Sequence, residues 1–490
     1  MALRWRRGHR VPDASMSRRL QVHEPYPRTP RALLYFIVLT ALCLASSSGE
    51  AEDYKYPFRD PYIATVTAAI LTGDGLTPKP KRQVVHVPGL PDRNHMPALE
   101  GRGEVSVAVY RQHHPAPLLF ILSGIGSNAY FGLATYFAGL FYQEGFHVVI
   151  LPSPMSWNFA LAASRSGAPG YAPEDARDLY EAMQRTLEVL RTRYNVTTTG
   201  IKFMGASLGA LEGAYLSVID AEERKIGIDR YLLVNPPLDL AYALDRVDEW
   251  TTLQAKFGGD KSRRLIGRAL AIVESFSKER LDDPAVFDRF AKEFASYTTE
   301  EIQFLIAAAL QATLPELVYV TQSVHDQRVP ADAKDEARKR LRASKNMTFK
   351  DYGERIALPW WTQDLVQPQG DLQSFAKRGS LTPILDRLRG NAKVHIVHNA
   401  DDVLVERSSI EALKAELGDQ VTVFPYGGHL GNLWYSENKE FVLRLLRTPE
   451  TRQPAPDVRG RLSYAPGESG KVCPSTAREG HHTSSHMSRS

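Results

Sequence analysis

The chain has 490 residues, of which 43% are hydrophobic and 24% are charged, and its formal net charge is +4. This composition is ordinary for a globular protein with a sizeable core, and the length allows about two to four average domains or one large α/β domain with insertions. The small net charge, without a long lysine or arginine run or an aromatic-basic stripe, argues against nucleic-acid binding.

Residues 1–51 have the pattern of an export segment. Several arginines precede the apolar stretch Ala32–Ala45, and the small residues that follow include Gly49 and Ala51 at a candidate cleavage site. We interpret the segment as a signal peptide. An N-terminal membrane anchor is the alternative, because the uncharged span approaches the roughly 17 residues that cross a bilayer. Either interpretation predicts an exported protein, periplasmic or extracellular, with possible membrane association through this segment.

Strand-like and helix-like patterns then alternate along the chain. Two period-two segments predict opening antiparallel strands, and continuously apolar segments predict strands that are buried on both faces. A helical pattern occupies 173–194, with Leu179, Met183, Leu187 and Leu190 on one face. The predicted strands are Tyr62–Ile70, Glu104–Gln112, Pro117–Ser123, His147–Ser153, Gly200–Ala206, Arg230–Asn235, Lys393–Asn399 and Gln420–Tyr426. The alternation predicts an α/β fold with a mostly parallel central sheet and helices on both faces.

One long helical region interrupts this alternation. Residues 236–388 read as helices throughout, and a structureless loop of that length would be implausible. The region therefore predicts a helical cap inserted between two parts of the core, 52–235 and 389–449.

Residues 450–490 are rich in Pro, Gly, Ser and charge, which predicts a disordered tail. The only cysteines are Cys43 and Cys473, so the predicted core has neither a disulfide nor cysteine-ligated zinc.

A Gly-x-Ser-x-Gly segment, Gly205 to Gly209, lies between a predicted strand and a predicted helix. A serine nucleophile has to project from a tight strand-to-helix turn, and glycines two positions before and after it keep side chains from colliding there. Ser207 is therefore a candidate nucleophile, and an ordinary small turn residue is the alternative interpretation. An unassisted hydroxyl is a poor nucleophile, so a base and an orienting acid have to follow.

Candidates for both follow in the order Ser, Asp, His. Asp401 and Asp402 come after one predicted strand, and His429 comes after the next, in Gly-Gly-His-Leu-Gly. With this order and context, the chain resembles the α/β-hydrolase superfamily from about Tyr62 to Leu446. The resemblance implies that Ser207 is the nucleophile, His429 the base and Asp402 the acid. Asp401 and Asp239 are rival acids, and either could instead be a solvated or helix-capping charge.

The loop Ser123-Gly124-Ile125-Gly126 has two interpretations. As G-x-G-x-x-A after a strand it matches a dinucleotide fingerprint, but the next predicted strand ends in Leu151-Pro152-Ser153-Pro154 without the carboxylate that would bind the ribose. The resemblance implies instead an oxyanion-hole loop. We assign the oxyanion donors to the backbone N–H groups of Ile125 and Leu208, and expect no cofactor.

A metal site is also considered and set aside. His395, His398, Asp401 and Asp402 are close in sequence, but strand residues three apart point to opposite faces, so the two histidines cannot easily share one ion.

The sequence thus predicts a serine hydrolase that uses acyl transfer on a small-molecule or lipid ester. The alternatives are a peptidase or thioesterase, and a non-catalytic envelope binding protein. Apolar cap residues could face a lipophilic substrate or form the core of the cap: Phe276, Phe304, Leu305, Leu310 and Leu317.

Overall fold

An eight-stranded sheet forms the centre of the protein. The computed structural model describes residues 54–72, 76, 80–93, 102–126, 129–130, 132–279, 283–325, 327–331, 336–364 and 370–447. The strands are β1 Gln83–Pro88, β2 Glu104–Tyr110, β3 Ala116–Leu122, β4 His147–Leu151, β5 Thr198–Ala206, β6 Arg230–Val234, β7 Val394–Asn399 and β8 Val421–Phe424. Their order is β1-β2-β4-β3-β5-β6-β7-β8. The β1–β2 and β2–β4 pairs are antiparallel, and all the other pairs are parallel.

Helices connect and cover these strands. They are α1 Pro61–Thr67, α2 Leu133–Gln143, α3 Trp157–Ala162, α4 Ala172–Tyr194, α5 Leu208–Glu223, α6 Leu240–Phe276, α7 Pro284–Phe294, α8 Thr299–Leu310, α9 Leu314–Val324, α10 Ala337–Ser344, α11 Phe349–Tyr352, α12 Leu358–Asp364, α13 Leu372–Arg378, α14 Leu385–Arg389, α15 Arg407–Leu417 and α16 Ser436–Arg447. Short helical turns occupy Ala68–Ile70, Pro91–Arg93, Gly353–Ala357, Thr382–Ile384 and Gly418–Gln420.

The direction of the connections distributes the helices over both faces of the sheet. The chain passes from β3 to β4 through α2, and then back across β3 to β5 through α4. Because crossovers between parallel strands are right-handed, these opposite directions put α2 and α4 on opposite faces. The final helix, α16, returns to the α2 side, where Arg447 pairs with Glu144 at the end of α2. The predicted fold class is confirmed: a mostly parallel sheet, helices on both faces and a helical cap.

The prediction of a strand at Tyr62–Ile70 is wrong. This segment is helix α1 followed by a helical turn, and the first strand is β1, which the sequence analysis missed. Asp60 caps the helix, since its carboxylate accepts hydrogen bonds from the N–H groups of Tyr62 and Ile63, and Pro61 supplies the preset φ of a first helical residue. These end signals and tertiary packing outweigh the preference of the β-branched residues for strands. In β1, buried Val85 and Val87 alternate with exposed residues, which is the period-two signal of a strand.

The cap lies between β6 and β7, where every described regular element is helical. It contacts the core at two loops that follow strands. On the loop after β3, a Cβ on Gly126 would be only 2.6 Å from the carbonyl oxygen of Ala309. On the loop after β8, the rings of Phe287 and Trp434 stack with centroids 3.5 Å apart. The cap therefore covers both loops, while its boundaries at 236 and 388 stay a prediction.

Two further predictions concern membrane and export. The candidate export segment, 1–51, and the tail, 450–490, lie outside the described residues. Among the described residues, one helical segment, Thr299–Val324, is long and apolar enough to cross a membrane by length and composition alone. Half of its most apolar window is buried inside the protein, as in a core helix of a globular protein, so this is weak evidence for a membrane span.

Candidate active site

The Gly-x-Ser-x-Gly segment forms the tight turn that the sequence predicts. Strand β5 ends at Ala206, Ser207 has φ of 55° and ψ of −125°, and helix α5 begins at Leu208. A positive φ is uncommon for a residue with a side chain, and it lifts Ser207 out of the end of the sheet. A Cβ on Gly205 would overlap the carbonyl oxygen of Gly209, and a Cβ on Gly209 would overlap that of Leu122. Both flanking glycines are therefore required by backbone contacts at the turn.

The three predicted catalytic residues meet at this turn. Nε2 of His429 lies 2.9 Å from Oγ of Ser207. On the other side of the ring, Nδ1 lies 3.1 Å and 3.0 Å from the two carboxylate oxygens of Asp402. The Asp402 side chain is fully buried and that of His429 is 7% exposed. With the ring proton on Nδ1, Nδ1–H donates to the carboxylate and Nε2 accepts from the serine hydroxyl.

Asp402 is held by groups that sequence reasoning did not single out. Asn235, directly after β6, donates from Nδ2 to Oδ2 of Asp402 at 2.7 Å, and the N–H of Leu404 donates to Oδ1 at 2.9 Å. The buried His398 ring lies 3.8 Å from Oδ2. Burial by itself raises the pKa of the Asp402 carboxyl, but the His429 ring, the His398 ring and the N–H of Leu404 outweigh it and hold the pKa below its ordinary value. Asp402 is therefore ionised at neutral pH.

Neither rival carboxylate hydrogen-bonds to the histidine ring. Asp239 caps helix α6, because its side chain accepts from the N–H of Tyr242 at 3.1 Å. Asp401 accepts from the N–H groups of Gly427 and Gly428, at 3.2 Å and 2.8 Å. The expectation that Asp401 faces solvent or caps the helix after it is wrong, since the turn before His429 needs it as an acceptor. Burial raises the pKa of Asp401, while these two hydrogen bonds oppose the rise.

Helix α1 holds the loop that carries His429. The N–H of His429 donates to Oγ1 of Thr65 at 2.9 Å, and Thr67 donates to the carbonyl oxygen of Gly431 at 2.7 Å. Gly428 has φ of 54°, and a Cβ on it would overlap the carbonyl oxygen of Pro61. The helix and the loop thus touch backbone to backbone. Sequence patterns did not reveal this contact, because its partners are more than 360 residues apart.

The predicted oxyanion loop lies against the serine. A Cβ on Gly124 would be 2.7 Å from Cβ of Ser207, so the chain after β3 passes directly beside the nucleophile. Leu208 occupies the first position of α5, where backbone N–H groups have no partner within the helix. Ile125 and Leu208 both line a cavity of about 50 Å³, whose lining includes the residue after the serine but not Ser207 itself. The two predicted donors therefore border the same space.

That cavity extends under the cap. From the core it is lined by Met155, Asp175 and Glu212, and from the cap by residues of α6, α11 and α13 and of the turn Gly353–Ala357. None of the five apolar cap residues singled out from the sequence lines it. Phe276, Phe304, Leu305 and Leu317 are buried, which fits the interpretation that most of the five form the core of the cap. Sequence reasoning missed the buried carboxyl groups of Asp175 and Glu212.

The two strand histidines have different partners. Nε2 of His395 contacts Oγ1 of Thr422 at 3.0 Å, whereas Nε2 of His398 contacts the carbonyl oxygen of Pro236 at 3.2 Å. Across the described residues, no group of three or more His, Cys, Asp or Glu side chains is placed to hold a metal ion.

Comparison with known proteins adds the following. No protein-family model matches the chain, and neither does any curated protein. Similar solved structures include the Pyrococcus horikoshii acylaminoacyl peptidase, with 11% identity and a TM-score of 0.37. The match covers 76% of this chain and 42% of the peptidase, so the chain spans less than half of that relative. An α/β hydrolase from Penicillium sp. sh18 has 13% identity and a TM-score of 0.35, covering 75% of this chain and 96% of its own. A hyperthermophilic esterase from Pyrobaculum calidifontis has 13% identity and a TM-score of 0.35, covering 86% and 97%.

At this level of likeness, the three structures carry no conclusion about activity. The fold is assigned from the sheet and from the strand, turn and helix around Ser207, with an aspartate and a histidine after later strands. By these features the chain has the α/β-hydrolase fold, as the resemblance drawn from the sequence implied.

Proposed function

We propose that the protein is a serine hydrolase that acts by acyl transfer on carboxylic esters, including lipid esters. One observation carries the proposal: a continuous chain of contacts leads from Oγ of Ser207 through the His429 ring to the buried carboxylate of Asp402. A serine beside a ring nitrogen of an oriented histidine is the arrangement that activates a hydroxyl group.

In the proposed reaction, Oγ of Ser207 attacks the substrate carbonyl while Nε2 of His429 takes its proton. Asp402 keeps the ring oriented and stabilises its positive charge. The N–H groups of Ile125 and Leu208 stabilise the negative oxygen of the tetrahedral intermediate; loss of one such donor costs about 10²–10³ in rate. His429 then gives its proton to the leaving alcohol, and a water molecule repeats the sequence to release the carboxylic acid.

The covered site favours small or flexible substrates. The cap lies over the loops after β3 and β8, so a substrate has to pass beneath it or between its helices. Peptides and thioesters share the acyl chemistry and are the alternative substrates, since fold and triad do not separate these classes. We further propose, from the sequence of 1–51, that the reaction takes place in the periplasm or outside the cell.

An active-site-directed fluorophosphonate tests the proposal. We expect covalent labelling of the wild-type protein, mapped to Ser207 by peptide mass spectrometry, and none in Ser207→Ala. Ser217→Ala is the matched control, because Ser217 lies on the same helix and donates to the carbonyl oxygen of Ala214. Labelling should be unchanged there. Folded wild-type protein that is not labelled would instead favour the non-catalytic binding protein.

A further inference from the structure

Two carboxyl groups are buried together in the cavity beside the serine. Asp175, in the first turn of α4, is 2% exposed, and Glu212, in the second turn of α5, is 1% exposed. Both line the cavity that Ile125 and Leu208 border. Burial raises the pKa of each carboxyl well above its ordinary value, and the proximity of Asp175 raises that of Glu212 further.

The protein leaves these two carboxyl groups short of hydrogen-bond donors. Asp175 accepts from the N–H of Gly170 at 2.6 Å, but its Oδ1 has no partner, and neither has Oε2 of Glu212. Within the described part of the chain, no lysine, arginine or histidine forms an ion pair with either group. Arg165 pairs instead with Asp178, on the same helix as Asp175, and with Glu181. A buried carboxyl without a partner is costly, and two adjacent ones are more so. The pocket thus lacks a donor that carries positive charge.

The position of the pocket indicates which part of a substrate would supply that donor. The leaving group has to lie within reach of Nε2 of His429, which donates the proton to it, but His429 does not line the cavity. Ser207 does not line it either, but the two residues proposed as oxyanion donors do. These donors would hold the acyl carbonyl oxygen, so we place the cavity on the acyl side of the scissile bond. Leu208 and Glu212 are four residues apart on α5, about 6 Å along the helix axis. An acyl chain of a few carbons covers that distance.

We propose that Asp175 and Glu212 form a binding site for an ammonium group on the acyl part of the substrate, so that the enzyme prefers esters of short amino acids. An ammonium group offers three donors to the unpartnered carboxyl oxygens, and its positive charge favours their ionised form, which burial alone disfavours. A volume of about 50 Å³ holds a few water molecules, which the ammonium end of such a chain would displace. An acyl chain that ends in a carboxylate or phosphate would be repelled. The inference rests on the proposed hydrolase function, and the ammonium group takes no part in bond making.

Pairs of p-nitrophenyl esters that differ only in an ammonium for a methyl group test the inference. The β-alanyl ester is compared with the butanoyl ester, and the ε-aminohexanoyl ester with the heptanoyl ester, by kcat/KM at neutral pH. We expect the wild type to prefer the amino ester of at least one pair by about tenfold or more, because a site built for a hydrogen-bonding group rejects the analogue that lacks it. In Glu212→Gln and in Asp175→Asn the preference should disappear, mainly through slower hydrolysis of the amino ester.

Asp178→Asn is the matched control. Asp178 is a buried carboxylate on the same helix as Asp175, but its oxygens bind Arg165 and it does not line the cavity. The preference should survive there. If the wild type cleaves the methyl esters without preferring the amino esters, or if the preference persists in Glu212→Gln, the ammonium site is refuted and the hydrolase proposal stands. If no ester is cleaved and Ser207 is not labelled, both are refuted.

Discussion

Replacing Asp402 by asparagine removes one charge and leaves almost every atom in place. The Asp402 carboxylate accepts hydrogen bonds from Asn235, Leu404 and His429. An asparagine side chain replaces one of the two accepting oxygens by an NH₂ group, which then faces a group that is a donor in the wild type. Asn235 can accommodate this change, because its own Oδ1 has no partner and can accept after the side-chain amide flips. We therefore expect the free energy of unfolding of Asp402→Asn to change by only about 1 kcal/mol, the net value of one hydrogen bond.

Turnover should fall much further than stability. An amide NH₂ that donates to Nδ1 of His429 moves the ring proton to Nε2, which then cannot accept from Ser207. The charge that stabilises the protonated ring is lost as well. Loss of the orienting acid lowers turnover about 10⁴-fold when the tautomer of the histidine ring is no longer fixed. We expect turnover of Asp402→Asn to fall about 10²- to 10⁴-fold. At about 1.36 kcal/mol per tenfold, this is roughly 3–5 kcal/mol in the activation barrier.

The assay is steady-state hydrolysis of one ester, normalised to the folded fraction measured by urea unfolding. Two control variants separate the triad acid from its rivals. Asp239→Asn keeps a good helix cap and should retain full activity. Asp401→Asn keeps one acceptor for the stronger of its two backbone hydrogen bonds, from Gly428, and should stay within about tenfold of wild type. A fall of less than tenfold in Asp402→Asn, or a collapse in Asp239→Asn alone, would refute the assignment of Asp402.

Three other changes test the supporting groups. Thr65→Val removes the acceptor for the N–H of His429 and should lower kcat about tenfold, with little change in far-UV circular dichroism. Asn235→Leu removes the side-chain amide that donates to Oδ2 of Asp402, which should lower kcat about tenfold or more and reduce the free energy of unfolding in urea by about 1–3 kcal/mol. Glu212→Gln should stabilise the protein increasingly as pH rises above about 4.5, measured as the difference in Tm from wild type. The sign follows from the raised native pKa: above the ordinary value the native state binds more protons than the unfolded state, so wild-type stability falls as pH rises. A difference in Tm between Glu212→Gln and wild type that is the same at pH 5 and at pH 8 would contradict this prediction.

The parts of the site that were predictable from the sequence lie at the ends of buried strands. An apolar run shows where a strand ends, and parallel strands bring their carboxyl ends to one edge of the sheet. Ser207, Asp402 and His429 follow β5, β7 and β8, so their meeting depended only on the order and direction of the strands. Gly205 and Gly209 were predictable for the same reason, because the close contact that requires them arises within the turn and with the neighbouring strand.

The parts that were not predictable depend on contacts between distant segments. The sequence predicts a strand where helix α1 lies, because its β-branched residues carry the local signal while its support of the His429 loop is visible only in three dimensions. No local sequence signal separates Asp175 and Glu212 from other acidic residues in helices. Only the packing of α4 on α5 beneath the cap brings both into one cavity and removes them from water.

The adjacent pair Asp401 and Asp402 shows why a motif alone did not settle the acid. Both residues follow the same strand, and either carboxylate has the charge that an imidazole needs. Their roles separate through the groups that surround them: Asn235 and Leu404 direct donors at Asp402, whereas Gly427 and Gly428 present their N–H groups to Asp401. One carboxylate therefore orients the His429 ring while its neighbour fixes the turn from which that ring projects. In the proposed reaction each needs the other, because an oriented ring takes the serine proton only if its backbone keeps Nε2 within reach of Ser207.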